Sequence, residues 1–225
     1  MSTAPIGILG GTFDPVHFGH LRLAQEIGQA LKLAAVRFIP SGTPPHRGAP
    51  AAPAADRLAM VKLATAGNPL FTVDEREIGR EGPCYTVDTL AELRGECGAA
   101  RPLCLLLGAD AFLDLATWHR WREIFRLAHV VVAHRPGFPV CGWQERLPQP
   151  LAAEYRERLM PQPLAVHLAP CGGVVVTPVT ALDISATRIR DAVRAGASPR
   201  YLLPDAVLDY IQSRRLYVQE VNETR

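Results

Sequence analysis

The chain has 225 residues, which at roughly 150 residues per domain lies between one large domain and two small ones. It is 48% apolar and 20% charged, and that composition excludes disorder as its main theme. A formal charge of +2 from 24 basic and 22 acidic side chains gives no broad electrostatic reason to expect nucleic acid or a membrane surface as partner. Lys32 and Lys62 are the only lysines, so arginine supplies nearly all the positive charge. Its planar fork of donors suits phosphate, although an Ala-, Arg- and Pro-rich composition accounts for most of these residues.

In chain order, the N-terminus enters an apolar strand pattern at once, at Pro5-Ile6-Gly7-Ile8-Leu9, with no basic segment or cleavage site that reads as a signal peptide. Continuous apolar runs at 6–9, 36–39, 103–107, 130–133 and 174–177 predict buried strands, with a weaker candidate at 70–73. Helical periodicity predicts helices at 18–33, 56–66, 86–96 and 187–195, and further helical segments near 151–159 and 206–211. Strand–helix alternation implies an α/β fold, a Rossmann-like parallel sheet with helices on both faces. Right-handed crossovers would then collect the strand C-termini along one ligand-binding edge.

Two proline-rich stretches interrupt the rhythm: 41–55, a long loop after the second strand, and an excursion at about 135–163. The expected organisation is one domain over 1–225 with that insertion and a C-terminal helical segment at about 185–216. Five cysteines (Cys84, Cys97, Cys104, Cys141, Cys171) are widely spaced and form no C-x-x-C pair. They predict reduced thiols in a cytoplasmic protein rather than a zinc site or a disulfide framework. No apolar run is long enough to span a bilayer.

Two segments carry chemistry. Gly10-Gly11-Thr12-Phe13-Asp14-Pro15-Val16-His17-Phe18-Gly19-His20 follows the first strand and opens the first helix. Glycines let the backbone approach a ligand, and a helix start offers unpaired amides and a partial positive charge, together an anion site. His17 and His20 stand three apart, so they are neighbours if this turn is helical. The dinucleotide fingerprint G-x-G-x-x-G and the phosphate loop G-x-x-x-x-G-K-[ST] are both absent, and two histidines make too few ligands for zinc. Near the end, Asp183-Ile184-Ser185-Ala186-Thr187-Arg188-Ile189-Arg190 leads into another helix, which Ser185 or Thr187 can cap. Arg188 in the first turn opposes the dipole, a pointer to an anion there. Arg190 is expected on a different, solvent-exposed face.

The first segment resembles the (H/T)-x-G-H signature of the nucleotidyltransferase superfamily, and its longer string G-G-T-F-D-P-x-H-x-G-H resembles bacterial nicotinate-nucleotide adenylyltransferases. The second resembles that family's I-S-S-T-x-x-R or I-S-A-T-x-x-R signature, with Ala186 in place of the second serine. The likeness extends from Gly7 to about Leu216. It implies a nucleotidyltransferase-type fold and transfer of an adenylyl group from ATP to nicotinic acid mononucleotide, releasing pyrophosphate. Nicotinamide mononucleotide and another phosphate acceptor such as phosphopantetheine are the alternative substrates.

The resemblance also implies roles. His17, His20 and Arg188 would act on the phosphates, and Gly10, Gly11, Thr12, Phe13, Ser185, Thr187 and Arg135 would bind ATP. His46 and Arg47 of a P-P-H-[KR]-like loop would border the mononucleotide. Thr86, in a segment like the family's P-S-Y-T, and the His119 amide would meet its carboxylate. Trp118 would stack on the pyridine ring, and Asp110 would bond a sugar or loop group. Mg²⁺ is expected to travel on ATP oxygens, mostly water-ligated, with no dedicated protein metal site. No nucleic acid or membrane partner is implied, and a homo-oligomer is left open. A sensor that binds ATP without turnover is the reading from a different class, but both histidines and Arg188 are in place.

Overall fold

The computed structural model describes residues 4–43, 48–134 and 143–218. Strands β1 (Ile6–Gly11), β2 (Ala35–Pro40), β3 (Phe71–Val73), β4 (Leu103–Gly108), β5 (His129–His134) and β6 (Val174–Pro178) form one sheet in the order β3-β2-β1-β4-β5-β6. Every pairing is parallel. The helices are α1 (Phe18–Ala30), α2 (Ala54–Thr65), α3 (Thr86–Cys97), α4 (Ala109–Leu113), α5 (Trp121–Leu127), α6 (Trp143–Arg146), α7 (Gln149–Arg158), α8 (Ala186–Arg194) and α9 (Asp205–Ser213).

Both faces of the sheet are covered, and the strand alternation shows it directly. In β4, Cys104 and Leu106 enter one core cluster, with Ala24 and Ile27 of α1, Met60 and Val61 of α2, Ile189 of α8 and Val207 and Leu208 of α9. Leu103, Leu105 and Leu107 enter the other, with Leu90 and Leu93 of α3, Phe112 of α4, Ile124 of α5 and Leu151 and Tyr155 of α7. Val131 and Ala133 of β5 join the first cluster while Val130 and Val132 join the second. A strand buried on both sides needs apolar residues at both phases of its two-residue period, which is why these strands read as uninterrupted runs.

The elements differ from expectation mainly at their ends. Helix α1 stops at Ala30 because Lys32 adopts φ 49°, a left-handed turn that leads the chain into β2. Helices α4 and α5 were not foreseen, since five and seven residues are too few for a helical period to register. The excursion before β6 contributes α7, whose Leu151, Ala152 and Tyr155 are buried in the second cluster.

At the edge of the sheet where β4, β5 and β6 begin, a half-buried arginine and a buried histidine engage backbone groups. Arg94 donates to the carbonyls of Gly98, Leu127 and Pro170. His129 is fully buried; its Nδ1 accepts the Gly173 amide at 3.0 Å and its Nε2 lies 2.8 Å from the Ala169 carbonyl. An acceptor at one nitrogen and a donor at the other define a neutral imidazole with the proton on Nε2. Burial accordingly lowers its pKa from the ordinary 6.5. The unfolded chain then takes up a proton that the folded one resists, so this group withdraws stability as pH falls below the unfolded value of 6.5. Followed by NMR, the His129 ring is expected to titrate below pH 6.5; a midpoint at or above that value would contradict the buried neutral tautomer.

Candidate active site

Strand order reverses between β1 and β4, and the crevice outside the strand ends at such a point is where open α/β sheets bind ligands. The glycine–histidine segment emerges there. His17 is not in the helix: it is the N-cap of α1, extended at φ −149° and ψ 172°. The amides of His20 and Leu21 both donate to its carbonyl, at 3.0 and 3.3 Å. The His17 amide in turn donates to Nδ1 of His20 at 3.3 Å, which leaves Nε2 as the protonated, donating nitrogen of the neutral ring. The two imidazoles stack with centroids 3.8 Å apart and planes 27° from parallel.

Gly19 makes this stack fit, because a Cβ there would stand 3.0 Å from Cε1 and Nδ1 of His17. Phe13 turns the chain at φ 50° and is buried, with its ring edge-on to His20 at 5.1 Å. Its side chain therefore orients an imidazole and is not exposed toward a nucleotide. Gly10 faces open space where a Cβ would be, so its backbone is approachable.

The second motif closes on the first. Ser185 caps α8 by accepting the Arg188 amide at 3.2 Å, while Thr187 is exposed in the first turn. The Ile184 carbonyl lies 3.8 Å from where a Gly19 Cβ would be, and the Phe18 amide donates to the Leu202 carbonyl. Thr180 donates through both its amide and its hydroxyl to Glu26 of α1, at 2.6 Å each.

The arginines are assigned differently from expectation. Arg188 is 65% exposed and pairs with Asp183 at 2.7 Å. Arg190, expected in solvent, is only 20% exposed and donates to the Asp14 carbonyl at 2.7 Å and to Thr187 Oγ1 at 3.3 Å. The family signature spaces its arginine three residues beyond the threonine, which is position 190, the guanidinium that contacts the histidine turn.

A chain of contacts leads from this pocket to the second group of expected residues. Arg57, fully buried in α2, donates to the carbonyls of Thr12 (2.7 Å), Gly42 (3.0 Å) and Ala52 (3.3 Å). Gly42 presses so closely on the Glu77 carbonyl that a Cβ would stand 2.1 Å from it. The Cys84 amide donates to the Thr43 carbonyl, and Thr86 two residues on begins α3, which no side chain caps. Its first amides are thus available to an anion.

Tyr85, the N-cap of α3, stacks on exposed His119 at 4.3 Å, and Tyr85 and Trp118 pack partly buried against the second cluster. Trp121 is buried. Asp110 is exposed in the first turn of α4, just beyond β4. His46, Arg47 and Arg135 lie outside the described residues. Among the described residues, no cluster of three or more His, Cys, Asp or Glu side chains is arranged to hold a metal ion. No described helix is long and apolar enough to cross a membrane.

Sequence reasoning missed Arg57 and Arg190 as site-forming groups, and also the hydroxyls of Ser41 and Thr177. Both hydroxyls are buried near strand C-termini, with no hydrogen-bond partner among the described residues. The x-x-R spacing was the available signal for Arg190; Arg57 offered none beyond being a charged residue in an apolar helix.

A doubly wound parallel sheet with a helix start able to bind an anion at its switch point, and a second drawn against it, is the build of a nucleotide-handling α/β protein. A family model described as cytidylyltransferase-like matches residues 8–192. The "Probable nicotinate-nucleotide adenylyltransferase" of Dechloromonas aromatica (strain RCB) is 55% identical over 213 residues, 95% of this chain and 97% of that protein. A protein of the same name from Halorhodospira halophila is 50% identical over 202 residues, 90% of each chain. Among solved structures, Plasmodium falciparum nicotinic acid mononucleotide adenylyltransferase complexed with NaAD aligns with a TM-score of 0.70 over 95% of this chain and 97% of that one. Its sequence identity is 14%, so it speaks to the fold. The chain belongs to the cytidylyltransferase-like family of nucleotidyltransferases, in the group of the bacterial nicotinate-nucleotide adenylyltransferases.

The two arginines should separate in stability. An exposed ion pair such as Arg188–Asp183 contributes about 0–1 kcal/mol, whereas truncating a half-buried donor and leaving the Asp14 carbonyl without it costs about 1–3 kcal/mol. Urea unfolding is expected to show Arg190→Ala as clearly the more destabilising of the two; an equal or reversed ranking would contradict the geometry.

Proposed function

We propose that the protein transfers the adenylyl group of ATP to nicotinic acid mononucleotide, giving nicotinic acid adenine dinucleotide and pyrophosphate. The observation that carries this reading is the stacked His17–His20 pair at the head of α1, with α8 drawn onto it through Arg190 and Asp14. The extent of the likeness to named adenylyltransferases supports the choice of substrate. The whole chain is read as one cytoplasmic domain.

A 5′-phosphate oxygen of the mononucleotide attacks the α-phosphorus of ATP. The new phosphorus–oxygen bond forms as the bond to the bridging oxygen breaks, and pyrophosphate leaves in line. The attacking phosphate has a second pKa near 6 and is largely ionised at neutral pH, so no general base is needed. Catalysis is then a matter of position and charge. His20, held with Nε2 as donor, faces the developing charge on the phosphates, and His17 braces it. The backbone at Gly10, Gly11 and Thr12 and the capped start of α8 at Ser185 and Thr187 supply further donors, joined by Arg135. Arg190 takes the phosphate role first expected of Arg188, being the guanidinium that reaches the histidine turn.

On the mononucleotide side, the amides at Thr86 and His119 receive the carboxylate. Trp118 stacks on the ring, and Asp110, His46 and Arg47 border the sugar and phosphate. The donor set suits anions. The carboxylate closest to the histidines in sequence, Asp14, already accepts from Ala51, Ala52 and Tyr217. Mg²⁺ therefore enters as part of the ATP substrate, where it neutralises phosphate charge.

Removing one preorganised donor of this kind costs about 2.7–4 kcal/mol of barrier, or roughly 10²–10³ in rate. His20→Ala is expected to fold normally and lose turnover by that factor in a pyrophosphate-release assay; wild-type turnover would remove His20 from the mechanism. The same assay with the unmodified protein is expected to require the mononucleotide strictly. Run with nicotinate and nicotinamide mononucleotides side by side, it should favour the acid; a tenfold preference for the amide would overturn the substrate assignment.

A further inference from the structure

We propose that Tyr217 is a positioning residue of the phosphate site: its hydroxyl, docked on Asp14, holds the histidine turn in register with α8. The proposal rests on the adenylyl-transfer reading for its kinetic consequence. Asp14 is 6% exposed, and both of its carboxylate oxygens are engaged. Oδ2 accepts the Ala51 amide at 2.7 Å, and Oδ1 accepts the Ala52 amide at 3.1 Å and the Tyr217 hydroxyl at 2.8 Å. The backbone carbonyl of the same residue accepts Arg190 Nη1 at 2.7 Å, and that nitrogen stands 3.8 Å from Oδ2. Four segments distant in the chain thus meet on one side chain: the turn after β1, the stretch before α2, the second-motif helix, and the tail beyond α9.

The tail reaches Asp14 by an unfavourable route. Arg215 and Tyr217, neither of them glycine, adopt φ 50° and 64° in the left-handed region. Such conformations persist where surrounding contacts enforce them. The Leu216 amide is fixed on the Ile211 carbonyl, and the Tyr217 ring is 8% exposed in the first core cluster. A second tether lies one turn earlier, where Tyr210 and Arg214 both donate to Asp56 of α2, at 2.8 and 3.2 Å. Burial, followed by the negative charge of Asp14, pushes the phenol pKa well up, so the hydroxyl remains a donor throughout the neutral range.

The geometric consequence falls on the histidines. Val16 and the N-cap His17 follow Asp14-Pro15 directly, so Asp14 sets where the stacked pair begins, and through its carbonyl it also sets where Arg190 lies. A small displacement at this junction moves both phosphate motifs relative to each other, and misplacement far from the reacting atoms is enough to slow a positioned reaction. Loss of the hydroxyl leaves Oδ1 with one donor and the junction free to relax.

Tyr217→Phe keeps the ring and removes only the donor. In the full-length protein, assayed well below its unfolding midpoint with MgATP and nicotinic acid mononucleotide, kcat is expected to fall roughly tenfold. The KM for the mononucleotide is expected to stay nearly unchanged, and the His20 imidazole resonances to shift in NMR spectra of the ligand-free protein. Asp14→Asn should then reduce kcat by less in the Tyr217→Phe background than in the wild type, because the two substitutions break one junction. Wild-type kcat in Tyr217→Phe overturns the proposal, as does a fall in kcat with unmoved His20 resonances. Failure of the adenylyl-transfer reading would look different: the wild-type protein would release no pyrophosphate, while the His20 resonances would still report whether Tyr217 positions the turn.

Discussion

A phosphate-binding site built from backbone amides and imidazoles needs several helix starts brought to one place, and in a parallel sheet that place is the edge where the strands end. Here the sheet order reverses between β1 and β4, so the turn entering α1 leaves from the middle of that edge rather than its rim. The amide-rich turn, the cap of α8 and the start of α3 are all reached from the same edge because every strand points toward it. The convergence of motifs far apart in the chain is a property of strand direction before it is one of side-chain chemistry.

Local constraints then turn a loop into a donor array. The His17–His20 stack depends on the small volume at Gly19, on the amide of His17 selecting the tautomer of His20, and on Phe13 supporting the ring edge. Arg57 fixes the same loop from beneath by bonding three carbonyls, and although burial lowers its pKa, the negative charge of Asp14 opposes that shift. Burial of a guanidinium without partners would be strongly unfavourable, and here three carbonyls satisfy its donors. The carbonyls it uses belong to the turn after β1 and the loop between β2 and α2, so a stability requirement and a positional one are met by the same hydrogen bonds.

The two ends of the sheet serve different purposes. Where the strands begin, Arg94 and His129 engage the carbonyls of Leu127, Pro170 and Ala169. Where the strands end, hydroxyls at Ser41 and Thr177 and the open side of Gly10 remain unengaged among the described residues. The contrast separates polar groups committed to holding the fold from polar groups that the described residues leave without a partner.

The apolar runs determined the strands by themselves, since a strand buried on both faces needs no partner to be recognised. The glycine turn with two histidines likewise announced an anion site, because its chemistry is local. The motif spacing singled out Arg190, but tertiary structure alone showed what it touches: it meets Asp14 176 residues away in sequence, and no helical period reports a contact of that range. The same holds for Tyr217 and Asp14, separated by 203 residues, and for Phe13, whose place in a ligand-like motif conceals its role as packing. A sequence specifies which groups are polar and which face of an element they share, but the pairing of buried polar groups depends on how the elements stack.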